Sequence, residues 1–427
     1  MSPHWVVRGC AADWPEPVPL SSPWAVIRLS PPAADNARMM TTIWAAGLFC
    51  FATLVIHLVG VAVATGRCRT ARQLLAPPGD APGVSLVRPV CGLENHLEAT
   101  LRSGFELDYP RYEILFCVAR ATDPAVPLVQ RLMRAFPQVP ARLLIGDERI
   151  SSNPKLNNMV KGWQAAGHDW VVMADSNVLM PVDYLQRLLA HWRPGDSGLV
   201  CSPPVGGSPD GLCAELECSF LNSYQARWQY VADSFGCGFA QGKTMLWRRD
   251  DLERAGGLRA LGAELAEDAA ATKLVRGSGR RVHLVDRPFV QPLGRRRFAE
   301  VWGRQIRWAR LRRASFPAFF LPELIAGGAF PLAAAIAAAA AGEPATWLAV
   351  AAFAVLWYGA EAMLVFAAGW HLTRRTPLVL LLRDLLLPAV WVASWFGSDF
   401  VWRGNHMCVI AGADGLSQID RAEVAGD

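Results

Sequence analysis

The sequence predicts an α/β domain built on a largely parallel sheet and carried by four membrane-crossing helices. Three observations lead there. The 427-residue chain is 52% hydrophobic and only 19% charged, with a mean hydropathy of +0.20, too apolar for a water-soluble enzyme of two or three domains. Apolar runs at 43–65, 319–341, 346–370 and 378–402 each reach the roughly 20 residues that a bilayer span needs. Between the first two runs, short apolar stretches alternate with amphipathic ones, the pattern of strands and helices in α/β domains.

Residues 1–40, rich in Pro, Ala and Trp, have no period and no basic n-region or cleavage site of a signal peptide. A disordered extension is expected there, with translation starting at Met39 or Met40. The first span covers 41–66. Arg67, Arg69 and Arg72 follow it, against the sparser Arg28 and Arg38 before it, so the positive-inside rule puts the domain at 80–297 in the cytoplasm. Within that domain, strands are predicted at 84–90, 114–119, 141–145, 170–174 and 199–202, with helices at 97–105, 126–136, about 160–166 and 184–191. A polar loop is expected at 151–158 (SSNPKLNN).

Past residue 212 the pattern is less parallel. An aromatic amphipathic segment at 216–231, a strand at 238–248, a helix opening at Glu267-Asp268 and a strand at 281–286 follow. The basic, Trp-containing helix at 298–316 suits a membrane surface, where Arg meets phosphates and Trp lies at headgroup depth. Three further spans fill 317–402, and a loose polar tail is expected at 403–427. The loop Gly342-Glu343-Pro344 has no basic residue whereas the next contains Arg374 and Arg375, which sets the latter inside. Arg383 and Asp384 interrupt the last span and are expected near the cytoplasmic interface; Glu361, within the third, has no assigned partner. Ten cysteines without a CxxC read as reduced core residues, neither a disulfide framework nor a zinc site.

The chemistry centres on residues 170–178, WVVMADSNV. A buried strand ends there in Asp175 and Asn177, where open α/β sheets bind ligands, and the pair can hold a hard cation whose other ligands are phosphates and water. The same residues also start a turn and cap a helix. Glu94 and Asp123, ending earlier strands, are candidates for the base and ribose of a nucleotide donor. Lys155 and Asn158 are candidates for phosphate or nucleoside, although Asn caps in a turn explain them equally well. Asp268 is a candidate base for an acceptor hydroxyl. Arg304 and Arg307, with Trp308 alongside, can stabilise a departing diphosphate. Residues 238–243 and 220–230 are candidates for the acceptor wall.

The stretches VSLVRPVCGLE, FELDYPRYEILFCVA, ATDPA, ARLLIGD, NPKLNN, ADSNV, AEDAAATK and RQIRWARLR run in order from Val84 to Arg312. Together they resemble the ceramide glucosyltransferase family, glycosyltransferase family 21, in a bacterial form. The resemblance implies a GT-A (Rossmann-like) nucleotide-sugar domain and a D, D, D, (Q/R)xxRW series. Its first position is Glu94 here, its second Asp175, its third Asp268, and its last motif Arg304, Arg307 and Trp308. It further implies Mg²⁺ or Mn²⁺ at Asp175, with Asn177 where a fuller motif has a second Asp. The reaction implied is inverting transfer of glucose from UDP-glucose to the primary hydroxyl of ceramide, at the inner membrane with the catalytic domain cytoplasmic. No nucleic-acid partner is expected. Alternatives are UDP-glucuronate or UDP-N-acetylglucosamine as donor, a diacylglycerol or hopanoid as acceptor, a processive polysaccharide synthase, and a non-catalytic scaffold.

Overall fold

A computed structural model describes residues 33–70, 74–397, 399–402 and 405–408; Arg72 and most of the N-terminal extension and tail lie outside them. The chain opens with α1 (Ala33–Thr70), longer than the expected span because the helical pattern runs on ahead of the apolar core of the segment. The α/β domain then alternates β1 (Val84–Val90), α2 (Leu97–Ser103), β2 (Tyr112–Val118), α3 (Val126–Ala135), β3 (Ala141–Ile145), α4 (Pro154–Ala165), β4 (Trp170–Ala174), α5 (Tyr184–Ala190) and β5 (Ser197–Cys201). It continues with β6 (Val205–Asp210), α6 (Leu212–Ser219), a π-helical segment (Phe220–Ala226), α7 (Arg227–Ser234), β7 (Thr244–Arg248), α8 (Arg249–Arg254), α9 (Gly257–Leu261), α10 (Glu267–Gly277), β8 (Arg281–Leu284) and β9 (Val290–Arg295).

Seven strands form one sheet in the order β3-β2-β1-β4-β7-β5-β8. The neighbours β3, β2, β1 and β4 are parallel, but β7 lies antiparallel between β4 and β5. The sheet is therefore mixed, and its antiparallel strand β7 lies past residue 212, where the sequence pattern becomes less parallel. The order reverses beside β1, with β2 on one side and β4 on the other, and such a switch opens a crevice at the strands' carboxyl ends. Helices bury both faces: Val84, Leu86, Ile114 and Phe116 face one core, Val87, Leu115, Val171 and Met173 the other. That two-sided burial is why these strands read as continuous apolar runs.

The loop expected at 151–158 is largely helical. Asn153 caps α4 by accepting from the backbone N–H of Lys155 at 2.9 Å and of Leu156 at 3.2 Å, with Pro154 in the first turn. An Asn-Pro start is a helix signal that the cluster of polar residues masked.

The basic, Trp-containing helix is α11 (Phe298–Ser315), followed by α12 (Pro317–Phe320), a 3-10 turn (Leu321–Ile325), α13 (Ala329–Ala341), α14 (Thr346–Ala368) and α15 (Thr376–Ala393). Four helical stretches are long and apolar enough to cross a membrane: Arg38–Arg69, Pro317–Ala341, Thr346–Ala368 and Thr376–Ala393. The last ends at Ala393, nine residues short of the expected 402. Gly397 turns the chain with φ +76°, and β10 (Asp399–Trp402) pairs with β11 (Asn405–Cys408). Apolar strands and apolar helix are alike in hydropathy, so the run alone overextended the helix.

The charges inside the spans find one another. Arg383 donates to Glu361 from Nη1 at 2.7 Å and from Nη2 at 3.0 Å, to Asp384, and to Ser223 Oγ of the π segment at 2.7 Å. Asp384 accepts from Gly328 N at 2.8 Å. A Cβ on Gly328 would lie 2.7 Å from that carboxylate oxygen, which explains the Gly-Gly break between the 3-10 turn and α13. On the other side, Arg227 of α7 meets His57 of α1 at 2.7 Å. A buried network thus ties the four apolar stretches to the π segment and α7 of the α/β domain. At the end of α1, Arg67 binds Asp233 at 2.9 Å, the Leu284 carbonyl at 2.8 Å and Asp286.

Candidate active site

The site is built where β4 ends and β7, α4 and α10 begin. β4 delivers Asp175, and antiparallel pairing of Ala174 with Thr244 places Lys243 beside it, the Asp175 N–H donating to the Lys243 carbonyl at 3.0 Å. The Lys243 ammonium lies 2.8 Å from Asp175 Oδ2 and 3.4 Å from Asn177 Oδ1. From the first turn of α4, the Lys155 ammonium lies 2.6 Å from Asp175 Oδ1 and 2.6 Å from Glu267 Oε1, and it donates to the Gly242 carbonyl at 2.6 Å. Asn153 completes the join by donating to Glu267 Oε2 at 2.6 Å.

Asp268, next to Glu267 in the first turn of α10, accepts from Gly242 N at 3.1 Å and from Ala269 N at 2.9 Å. Two backbone donors therefore fix its carboxylate. Its environment differs sharply from that of Asp175. Burial and then the Glu267 charge push the Asp268 carboxyl up to about 6. Burial works on Asp175 in the same sense, but Lys155 and Lys243 outweigh it and hold that carboxyl at about 2. Two acids in one site with pKa values driven apart are a mark of divided labour, one a permanent anion and one able to exchange a proton near neutrality.

The third element is α11. Arg304 pairs with the buried Glu217 of α6, which also lies 3.3 Å from Arg296. The charges of Arg304, Asp175 and Lys243 bear on one another, so this helix borders the same site. Arg307 is held down to about 10 by burial and then by Arg304. Trp308 packs on Cys218, Leu221 and Leu293 and wedges α11 against α6 and β9.

Other expected residues have different work. Asp123 accepts from Gly92 N at 3.0 Å and from Ala125 N at 2.8 Å, which fixes the turn after β1 that carries Glu94. Asn158 donates to the Cys117 carbonyl at 2.8 Å and accepts from Lys161 at 2.6 Å, so it ties α4 to β2 and does not offer its amide to the cleft. The segment 220–230 packs against the membrane helices, and Lys243, expected on an acceptor wall, sits on Asp175 instead.

Three contributors escaped the sequence reading. Arg88, buried in β1, donates to the carbonyls of Thr100 at 2.8 Å, Asp175 at 3.2 Å, Ser176 at 3.3 Å and Val178 at 3.2 Å, holding the loop after β4. A lone Arg inside the apolar VSLVRPV was the available signal. Glu217 and Glu267 had none beyond their charge.

A divalent cation at Asp175 and Asn177 would find one carboxylate and one amide oxygen, with an ammonium already on each carboxylate oxygen. Among the described residues no group of three or more His, Cys, Asp or Glu side chains is gathered as a metal site. Cations of this kind take oxygen donors, commonly one or two carboxylates together with substrate phosphates and water. As they stand, the only carboxylate of the pair is held at both oxygens by lysine ammoniums, Lys155 at 2.6 Å and Lys243 at 2.8 Å, and leaves a dication no uncompensated charge.

The comparisons place this chain among the glycosyltransferases. The model of Glycosyl transferase family 21 matches residues 52–414, and the chain belongs to that family. It is 27% identical over 312 residues to ceramide glucosyltransferase 3 of Caenorhabditis elegans, covering 70% of this chain and 67% of that one. It is 29% identical over 299 residues to a ceramide glucosyltransferase of Komagataella phaffii, covering 57% of this chain and 59% of that one, so it spans under two thirds of that relative's length. A mannosyltransferase of Pyrobaculum calidifontis, solved with GDP-Man and Mn²⁺, aligns at a TM-score of 0.45 and 19% identity, covering 80% of this chain and 99% of that one.

Proposed function

We propose that this glycosyltransferase moves glucose from UDP-glucose to the primary hydroxyl of ceramide, with inversion, on the cytoplasmic side of the inner membrane. The observation that carries the reading is the convergence of Asp175, Asp268 and Arg304 at one end of the sheet, beside a helix that runs directly into apolar spans.

In this mechanism Lys155, Lys243 and the Arg304–Arg307 pair receive the donor's diphosphate, and Glu94 lies toward the nucleoside. The acceptor oxygen attacks the anomeric carbon, its proton passes to an Asp268 carboxylate oxygen, and the bond from that carbon to the diphosphate oxygen breaks. The two electrons of that bond leave with UDP, whose growing negative charge meets fixed cations that need no reorganisation. A carboxyl poised at about 6 is ionised at neutral pH yet still basic enough to take the proton as it is released. None of these steps passes through a divalent ion. The acceptor's chains lie among the spans, so that only the headgroup enters the polar site.

The test is the mass of the product from purified enzyme offered UDP-glucose, UDP-glucuronate and UDP-N-acetylglucosamine with ceramide and diacylglycerol in competition. Hexosylceramide supports the reading, and glucose on diacylglycerol alone overturns it. A product longer than one sugar points to a processive synthase.

A further inference from the structure

We infer that Lys243, in place of a metal ion, supplies the positive charge that the donor's diphosphate meets at Asp175, so that donor binding needs no divalent cation. This rests on the reading of the donor as a UDP-sugar. Lys243 holds the two oxygens that a D-x-N motif would offer a metal, Asp175 Oδ2 at 2.8 Å and Asn177 Oδ1 at 3.4 Å. Its position follows from the fold, because the antiparallel β4–β7 ladder fixes residue 243 opposite residue 175. The preceding residue is shaped for the same approach: a Cβ on Gly242 would stand 2.6 Å from Glu267 Oε1 and 3.2 Å from Lys155 Nζ. A side chain here would push the Glu267 carboxylate and the Lys155 ammonium out of their present contact.

The pairing at the motif itself agrees. Asn177 contributes no charge, so Asp175 is the one anion of the motif, and it is already shared between two ammoniums. A dication added there would face both lysine ammoniums at short range. A diphosphate is a guest for the ammonium side of the cluster, since charge-assisted hydrogen bonds from lysine are a common way to hold phosphate.

UDP binding to the purified full-length protein, measured calorimetrically in EDTA and in Mn²⁺, tests this with wild type, Lys243→Ala and Lys243→Arg. Wild-type affinity is expected to agree within about twofold between the two conditions, and Lys243→Ala to bind about tenfold or more weakly in EDTA, with part of the loss recovered in Mn²⁺. Lys243→Arg keeps the charge and stays within several-fold of wild type. The electron spin resonance of Mn²⁺ with wild type and UDP should match that of Mn²⁺ with UDP alone. Wild-type binding that collapses in EDTA and returns with Mn²⁺ overturns the role of Lys243 and leaves the UDP-sugar reading standing. The same holds if Lys243→Ala binds normally in EDTA. If UDP binds in neither condition, the nucleotide reading falls and this one with it. Should Lys243→Ala fail to fold, the wild-type comparison and Lys243→Arg decide alone.

Discussion

Lowering the pH across the ionisation of Asp268 probes the assignment of the base. Burial and the Glu267 charge hold its carboxyl at about 6 against an ordinary 3.8. With that value, about nine tenths of the molecules carry the base form at pH 7 and about one tenth at pH 5. The expected kcat/KM falls about tenfold per unit below pH 6, whereas a base with an ordinary carboxylate pKa would hold its rate down to about pH 5. The same shift acts on stability. The folded-state pKa lies above the unfolded one, so the stability gained from protonation is full below about pH 3.8 and lost as pH rises through about 6. A displacement of about two units corresponds to about 3 kcal/mol, the order of the destabilisation that the ionised base imposes at neutral pH. Asp268→Asn removes the titration. It should be inactive at every pH, and its stability relative to wild type should climb by up to about 3 kcal/mol between pH 4 and 7. The assay is the initial rate of glycolipid formation across that range, with thermal midpoints of both proteins in the same buffers. A wild-type rate flat to pH 5, or measurable turnover by Asp268→Asn, refutes the assignment.

Three further outcomes follow from the packing. Arg383→Met leaves Glu361 and Asp384 buried without their partner, and should destabilise the protein by about 3–5 kcal/mol, read as a large fall in thermal midpoint. Glu361→Gln, which keeps an acceptor, should do less harm. Gly162→Ala puts a Cβ 2.5 Å from Cys117 Sγ and 2.7 Å from Val87 Cγ1, lifting α4 off the sheet and Lys155 away from Asp175; a loss of about 1–3 kcal/mol should come with weaker UDP binding, and unchanged UDP affinity would argue against that geometric link. Arg88→Met strips four carbonyls of a donor, three of them in the loop after β4, and should lower both the thermal midpoint and donor affinity; intact affinity would show that the loop holds its shape unaided.

Local pattern made much of this molecule readable. The strand at Trp170–Ala174 ends where its apolar run ends, and Glu267-Asp268 opens a helix as acidic residues at a first turn tend to. Both follow from forces acting within a few residues. The misreadings have the same origin. The polar cluster around Asn153-Pro154 reads as loop, although the capping bonds that make it a helix start are local and the Asn-Pro pair signals them. The last span was overextended because hydropathy measures burial in lipid and does not distinguish a helix from the apolar strands after Gly397.

By itself the sequence determined the α/β alternation, the four apolar spans, and the identities of the acids and arginines able to do transfer chemistry, since periodicity and composition are properties of neighbouring residues. Only the tertiary structure decided who meets whom. Lys243 reaches Asp175 across 68 residues because β7 runs antiparallel to β4, Arg304 meets Glu217 across 87 residues because α11 packs on α6, and Glu361 finds Arg383 because two spans lie side by side. Strand direction and helix packing are set by the burial of the whole core, which no window of sequence contains.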